Sequence, residues 1–183
     1  MSALIAGFDL GVRRLSVALI AMDPDNDAET EIIIQSGVIL DDDDEATRLQ
    51  SLGTLTRILL CTNEDIVMAC IERPAGNGSQ TMSAAFGAVC SAIPTRIQTR
   101  SLYPQSIRKT LSLPQSGRLL TFEGAPARAR TRAHKHHLMI EAAEWLAERG
   151  YNAPITHDDA DAVHCARAAR IREWADTESI EAA

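Results

Sequence analysis

An α/β fold is what this chain predicts, and three observations carry the prediction. Three early runs rich in aliphatic and β-branched residues follow one another across short polar breaks, as in an antiparallel meander. "DIVMACIE" is a short continuous apolar run that suits a strand buried on both faces. Patterns of helical period then alternate with extended segments, the order that feeds parallel strands.

Taken in order, residues 3–9 and 15–22 of "LIAGFDLGVRRLSVALI" read as two strands, with 10–14 turning between them. "DPDNDAETE" is a polar connection and "EIIIQSGVIL" a third strand. "DDDDEATRLQSLGTLTRILLCT" opens with acids suited to a helix N-terminus and continues with Leu49, Leu52, Leu55 and Leu59 at helical spacing. The strand "DIVMACIE" ends at Glu72, and "RPAGNGSQ" is a loop by composition. "QTMSAAFGAVCSAI" is a small-residue helix, "TRIQTRSLY" a short strand, and "PQSIRKTLS" a brief helix opened by proline. "TRAHKHHLMIEAAEWLAERG" is a helix closed by Gly150, and "THDDADAVHCARAARIREWADT" a last helix with Thr156 or Asp158 as its cap. The order is βββαβαβ(α)αα within one domain over residues 1–175. Residues 113–132 read as a basic loop, and 176–183 as a tail expected to fray.

The bulk composition sets limits. At 183 residues the chain is long enough for one well-buried core. No apolar run nears the ~20 residues of a membrane span, and the N-terminus has no basic signal-like start, so a soluble, cytoplasmic protein is expected. Cys61, Cys70, Cys90 and Cys165 form no CxxC pair and read as reduced core thiols. The net charge of −7 is unevenly spread: residues 96–135 hold nine basic side chains against one acid, Glu123, which leaves −15 on the remainder. One basic face on an acidic body can recruit a polyanion despite the global sign; the alternative is a solvated basic loop.

Asp9 is the oddity of the first strand, since strands are depleted in Asp and an unpaired buried charge is unfavourable. Glu72 ends the fourth strand, a plausible neighbour of the first. Asp158 and Asp161, three apart, share a face of the last helix's first turn. Each has a plain explanation. Asp9 could bond N–H groups of the Leu10–Gly11 turn, Glu72 could pair with Arg73 or a lysine, and Asp158, Asp159 and Asp161 could be favourable charges at a helix N-terminus. If the four converge, two charges ~4 Å apart repel by about 4 kcal/mol at an effective dielectric of ~20, and a cation must offset that. An all-oxygen set selects Mg²⁺ or Mn²⁺, and two such ions ~3.5–4 Å apart suit phosphodiester hydrolysis.

The chain resembles the RuvC-type Holliday-junction resolvases of the RNase H-like superfamily. The resemblance is carried, in order, by "IAGFDLGVRRLSVALI", "ACIERPAGNGSQTMSAAFGAVCSAI", "LYPQSIRKTLS" and "HDDADAVHCARAA", from about residue 3 to 170. It implies a five-stranded mixed sheet, with the first three strands antiparallel and the fourth and fifth parallel, flanked by helices. It also implies a homodimer that cleaves four-way DNA junctions in recombination, repair or phage DNA processing. The family's metal-binding, catalytic acids fall on Asp9, Glu72, Asp158 and Asp161, with Asp159 non-catalytic, and the resemblance implies two Mg²⁺ or Mn²⁺ ions per active site. DNA contacts are expected from Arg13, Arg14, Arg73, Asn77, Gln80, Arg108, Lys109, Arg118, Arg128, Arg130, Arg132 and Lys135. The family's loop after the strand-end Glu often carries an aromatic that wedges into the junction; "RPAGN" has none, and Arg73 or Asn77 would make polar contacts in its stead. That keeps alive a related nuclease acting on flaps or RNA–DNA hybrids, or an inactive DNA-binding relative, although all four acids are present. His134, His136 and His137 are too closely spaced for a zinc site on one helix and read as structural or as DNA-backbone contacts. His157 reads as a neighbour of the cap, with help in protonating a leaving oxygen as the alternative, and His164 as structural.

Overall fold

The computed structural model describes residues 3–11, 14–22, 33–39, 44–74, 80–114 and 127–181, with the backbone alone at 33–39, 127–130 and 177–181. Its elements follow the expected order: β1 (Leu4–Leu10), β2 (Arg14–Ala21), β3 (Ile33–Ile39), α1 (Glu45–Thr62), β4 (Ile66–Glu72), α2 (Gln80–Ala92), β5 (Gln98–Leu102), α3 (Pro104–Thr110), α4 (Ala127–Ala147) and α5 (His157–Glu181). The five strands form one mixed sheet in the order β3-β2-β1-β4-β5. β1 pairs antiparallel with β2 and β2 with β3, while β4 runs parallel to β1 and β5 parallel to β4. None of the described helices is long and apolar enough to cross a membrane.

Strand alternation sorts the side chains between two layers. Ala6, Phe8 and Leu10 of β1, with Ala69 and Ile71 of β4, pack against Leu52, Leu59 and Leu60 of α1 and Ala85 and Val89 of α2. The residues between them face α5: Ile5, Met68 and Cys70 meet Cys165, Ala166 and Ala169. Asp9 and Glu72 therefore belong to the α5 face by the same alternation. α4 closes that side through Ala142 and Leu146. Trp145 fixes the α4–α5 seam, with the guanidinium carbons of Arg149, Arg167 and Arg170 at 4.0, 4.8 and 5.6 Å from its ring centre.

The helix that carries Asp158 and Asp161 lies unusually close to the sheet. A Cβ on Gly7 would stand 2.2 Å from the Ala162 carbonyl oxygen and 2.6 Å from the Ala166 nitrogen. Only glycine on the strand, facing the alanines of α5, permits this approach.

Four expectations need correction. α4 begins at Ala127, so Arg128, Arg130 and Arg132 belong to a helix and not to a basic loop over 113–132; "ARARTR" is built mostly from good helix formers. The rest of that stretch, residues 115–126 with Arg118, lies outside the described residues. α5 continues to Glu181, so the helix extends through residues read as a tail; Asp176 is tied to the Arg100 guanidinium at 2.9 Å. Cys61 is exposed and not a core thiol, whereas Cys70 and Cys165 are buried with their sulfurs 3.2 Å apart. The basic stretch is not all one face. Arg96 donates to the carbonyls of Leu60 and Ile66, and Arg100 is held by Glu173 and Asp176.

Gly7→Ala is expected to destabilise the protein by about 3 kcal/mol or more, because the new methyl meets backbone on α5 that cannot yield without moving the helix. Chemical denaturation measures it. Gly87→Ala in α2, where an added Cβ meets nothing within 4 Å, is the control and should be neutral or mildly stabilising.

Candidate active site

Asp9 is the penultimate residue of β1 and Glu72 the last of β4. The parallel register sets Phe8 opposite Ile71, so the next residues along, Asp9 and Glu72, end side by side. On the other side of β1, Asp9 lies opposite Ser16 of β2.

The start of α5 is held against this edge by a reciprocal cap. The Thr156 N–H donates to the Asp159 carboxylate at 2.8 Å, and the Asp159 N–H donates back to the Thr156 hydroxyl at 3.3 Å. The other oxygen of Asp159 accepts from the Ser16 hydroxyl at 3.1 Å, and Asp159 is only 1% exposed. Asp159 thus spends its charge on the cap and on β2, as a non-catalytic residue should. Its flanking acids, Asp158 and Asp161, are thereby carried over the strand ends. His157 is the first helical residue, beside the cap formed by Thr156.

All four acids line one cavity of about 490 Å³. Asp9, Glu72, Asp158 and Asp161 share its lining with Pro104 and Arg108 of α3 and with Thr131, His134, Lys135 and Leu138 of α4. The α4 residues are spaced i, i+3, i+4, i+7, a single helical stripe. Leu10, Gly11, Arg14, Pro74 and Met82 complete the lining.

Burial and mutual repulsion dominate the electrostatics. Burial, then the charges of Asp161 and Asp158, push the Asp9 carboxyl up to about 7, against the pull of Lys135 and a hydrogen bond from the Leu10 N–H. The plain turn-bonding role of Asp9 therefore exists but is outweighed. Burial, then Asp161 and Asp9, push Glu72 up to about 8, opposed by Arg108 and Lys135. Burial likewise raises Asp161, with Asp158 adding to it and Lys135, Arg108 and His157 opposing. Asp158 pairs with Arg14 at 3.1 Å. Among the described residues, no three carboxylate, imidazole or thiol groups stand close enough to ligate one ion with the side chains as they are. The repelling carboxylates share a cavity, not yet a coordination sphere.

The expected DNA-contacting residues divide into groups. Arg14, Arg108 and Lys135 line the cavity. Arg73 is exposed beside it, its guanidinium 5.0 Å from the Tyr103 ring centre and not paired with Glu72 as one sequence reading had it. Gln80, Lys109 and Arg132 are exposed on α2, α3 and α4. Arg13, Asn77 and Arg118 lie outside the described residues, as do the side chains of Arg128 and Arg130. His164 is structural, as read: buried, it donates from Nε2 to the Leu138 carbonyl at 3.0 Å, and burial brings it down to about 4. His134, read together with His136 and His137 as structural or as a DNA-backbone contact, lines the cavity; clustering alone did not tell which of the three faces it.

No protein-family model and no curated protein matches this chain. Among solved structures it is similar to the RuvC of T. thermophilus in complex with a Holliday junction substrate. That match has 14% identity, a TM-score of 0.68, and covers 96% of this chain and 97% of that one. A second Thermus thermophilus RuvC structure matches at 15% identity and a TM-score of 0.62, over 95% and 97% of the two chains. The chain has the RuvC-like, RNase H-like fold.

The raised carboxyls give a sign to pH dependence. Asp9 and Glu72 move from ordinary values of 3.8 and 4.5 to about 7 and about 8 in the fold. The folded chain therefore holds protons that the unfolded chain has released, and stability falls as pH rises through those folded values. In EDTA, Asp9→Asn should raise the melting temperature at about pH 8.5 and lose that advantage at about pH 4, as thermal melts at the two pH values would read.

Proposed function

We propose that this chain is a divalent-metal-dependent endonuclease that hydrolyses phosphodiesters of four-way DNA junctions. The observation that carries the reading is the meeting of Asp9, Glu72, Asp158 and Asp161 in one cavity lined also by Arg108 and Lys135. Four acids and these two cations lining one cavity suit a cation and a phosphate bound together. Likeness of fold to a RuvC that is seen with a Holliday junction substrate supports the choice of substrate.

The donor set fits Mg²⁺ or Mn²⁺. It offers carboxylate oxygen without a thiolate, and burial, with mutual repulsion added to it, pushes Asp9 and Glu72 up to about 7 and about 8. Asp9, Glu72, Asp158 and Asp161 would hold the ions, two per site, after small side-chain rotations and release of Asp158 from Arg14. Bound there, the ions would supply water activation and charge neutralisation at the leaving oxygen. The chain supplies the rest. Arg108 and Lys135 neutralise the incoming phosphate, and the cap through Asp159 keeps the two α5 acids in register with the strand ends. Arg14, once free of Asp158, adds a cation at the cavity wall, and exposed Arg73, Gln80, Lys109 and Arg132 extend the DNA track. Two copies of the chain would address two opposed strands, matching the symmetry of a junction.

Asp9→Asn and Glu72→Gln should each slow cleavage of a synthetic four-way junction by about 100-fold or more while junction affinity stays within about threefold. Parallel digestion of flap and RNA–DNA hybrid substrates tests the choice of substrate. Cleavage at the normal rate by either variant, or activity undiminished in EDTA, would refute the metal reading. Mg²⁺ should also raise the melting temperature of the unmodified chain, and far less that of Asp9→Asn.

A further inference from the structure

We propose that His134 is a substrate-contacting residue, whose imidazole N–H donates a hydrogen bond to a phosphate oxygen of the strand held in the carboxylate cavity. The inference rests on the nuclease reading above. His134 is 3% exposed and lines the cavity, yet neither ring nitrogen has a hydrogen-bond partner among the described residues. A buried polar atom left unpaired costs about 1–3 kcal/mol, so a group that enters the cavity is the natural partner. The same fold satisfies its other buried histidine. His164 is bonded through Nε2 to the Leu138 carbonyl, and its Nδ1 lies 3.3 Å from Arg167.

The neighbours identify the partner's charge. His134 stands on α4 directly before Lys135 and lines the same cavity as Arg108. Burial, with the charges of Arg108 and His137, lowers its proton affinity, so the ring is neutral and offers one donor and one acceptor. A neutral donor that shares the cavity with these two cations and four acids suits an anionic oxygen that Arg108 and Lys135 have already drawn in. The stripe Thr131, His134, Lys135 and Leu138 then reads as a phosphate-facing surface, with Leu138 at its dry end.

The test uses the full chain, a synthetic four-way junction and Mg²⁺, with single-turnover rates and thermal melts on the same samples. His134→Leu fills the space without polar atoms, and should melt at or above the unmodified protein while cleaving at least about tenfold more slowly. His134→Gln restores an N–H and should recover cleavage to within about threefold of the unmodified rate. A junction with a neutral methylphosphonate at the scissile position should lose more affinity for the unmodified chain than for His134→Leu. Cleavage by His134→Leu at the unmodified rate, no recovery in His134→Gln, or equal loss of affinity in both proteins would overturn the assignment. If the unmodified chain itself leaves the junction intact, the nuclease reading has failed and this inference falls with it.

Discussion

The close approach of α5 to β1 at Gly7 is the constraint on which the site depends. Asp9 and Glu72 sit side by side through the parallel register of β1 and β4, and that much needs only a sheet. Asp158 and Asp161 are more than eighty residues further along. They reach the strand ends only because α5 lies down on a strand without a side chain in the way, and presents alanines to it. Asp159 then fixes where along the strand the helix begins, by bonding both its own cap and Ser16 of β2. Packing sets the height of α5 over the sheet, and one carboxylate sets its start.

Holding these acids together opposes stability. Burial raises Asp9, Glu72 and Asp161, the charges of Asp158 and Asp161 push their neighbours up further, and Arg108 and Lys135 only partly offset the effect. The fold tolerates this because the strain sits at one end of a sheet whose two faces are covered by separate apolar layers. Such concentration of perturbed carboxyls beside an open cavity is a property of functional sites more than of structural ion pairs, which lower acids instead of raising them.

Much of this was legible in the chain. The order of elements followed from apolar period, and the four acids were marked by their places at strand ends and a helix start. Spacing put Asp158 and Asp161 on one helix face, and the resemblance set Asp159 apart from them. What was not legible depended on docking. Charge counting could not tell that Arg96 and Arg100 are consumed by backbone carbonyls and by Glu173 and Asp176, because those partners are distant in sequence. Local composition hid the start of α4, where alternating Ala and Arg read as basic loop although both favour helix. The role of His134 was invisible for a related reason: which side of α4 faces the acids is decided by how α4 lies on α5, and three clustered histidines offer no hint of which one turns inward.

The arginine cage around Trp145 makes that seam optically readable. The indole joins α4, which carries Lys135, to α5, which carries two of the acids, and three guanidinium groups crowd its ring. Trp174, 44% exposed near the far end of α5, is expected to emit from a more aqueous setting. A blue-shifted component of the intrinsic fluorescence therefore belongs to Trp145, and its loss registers any parting of the two helices that enclose the cavity.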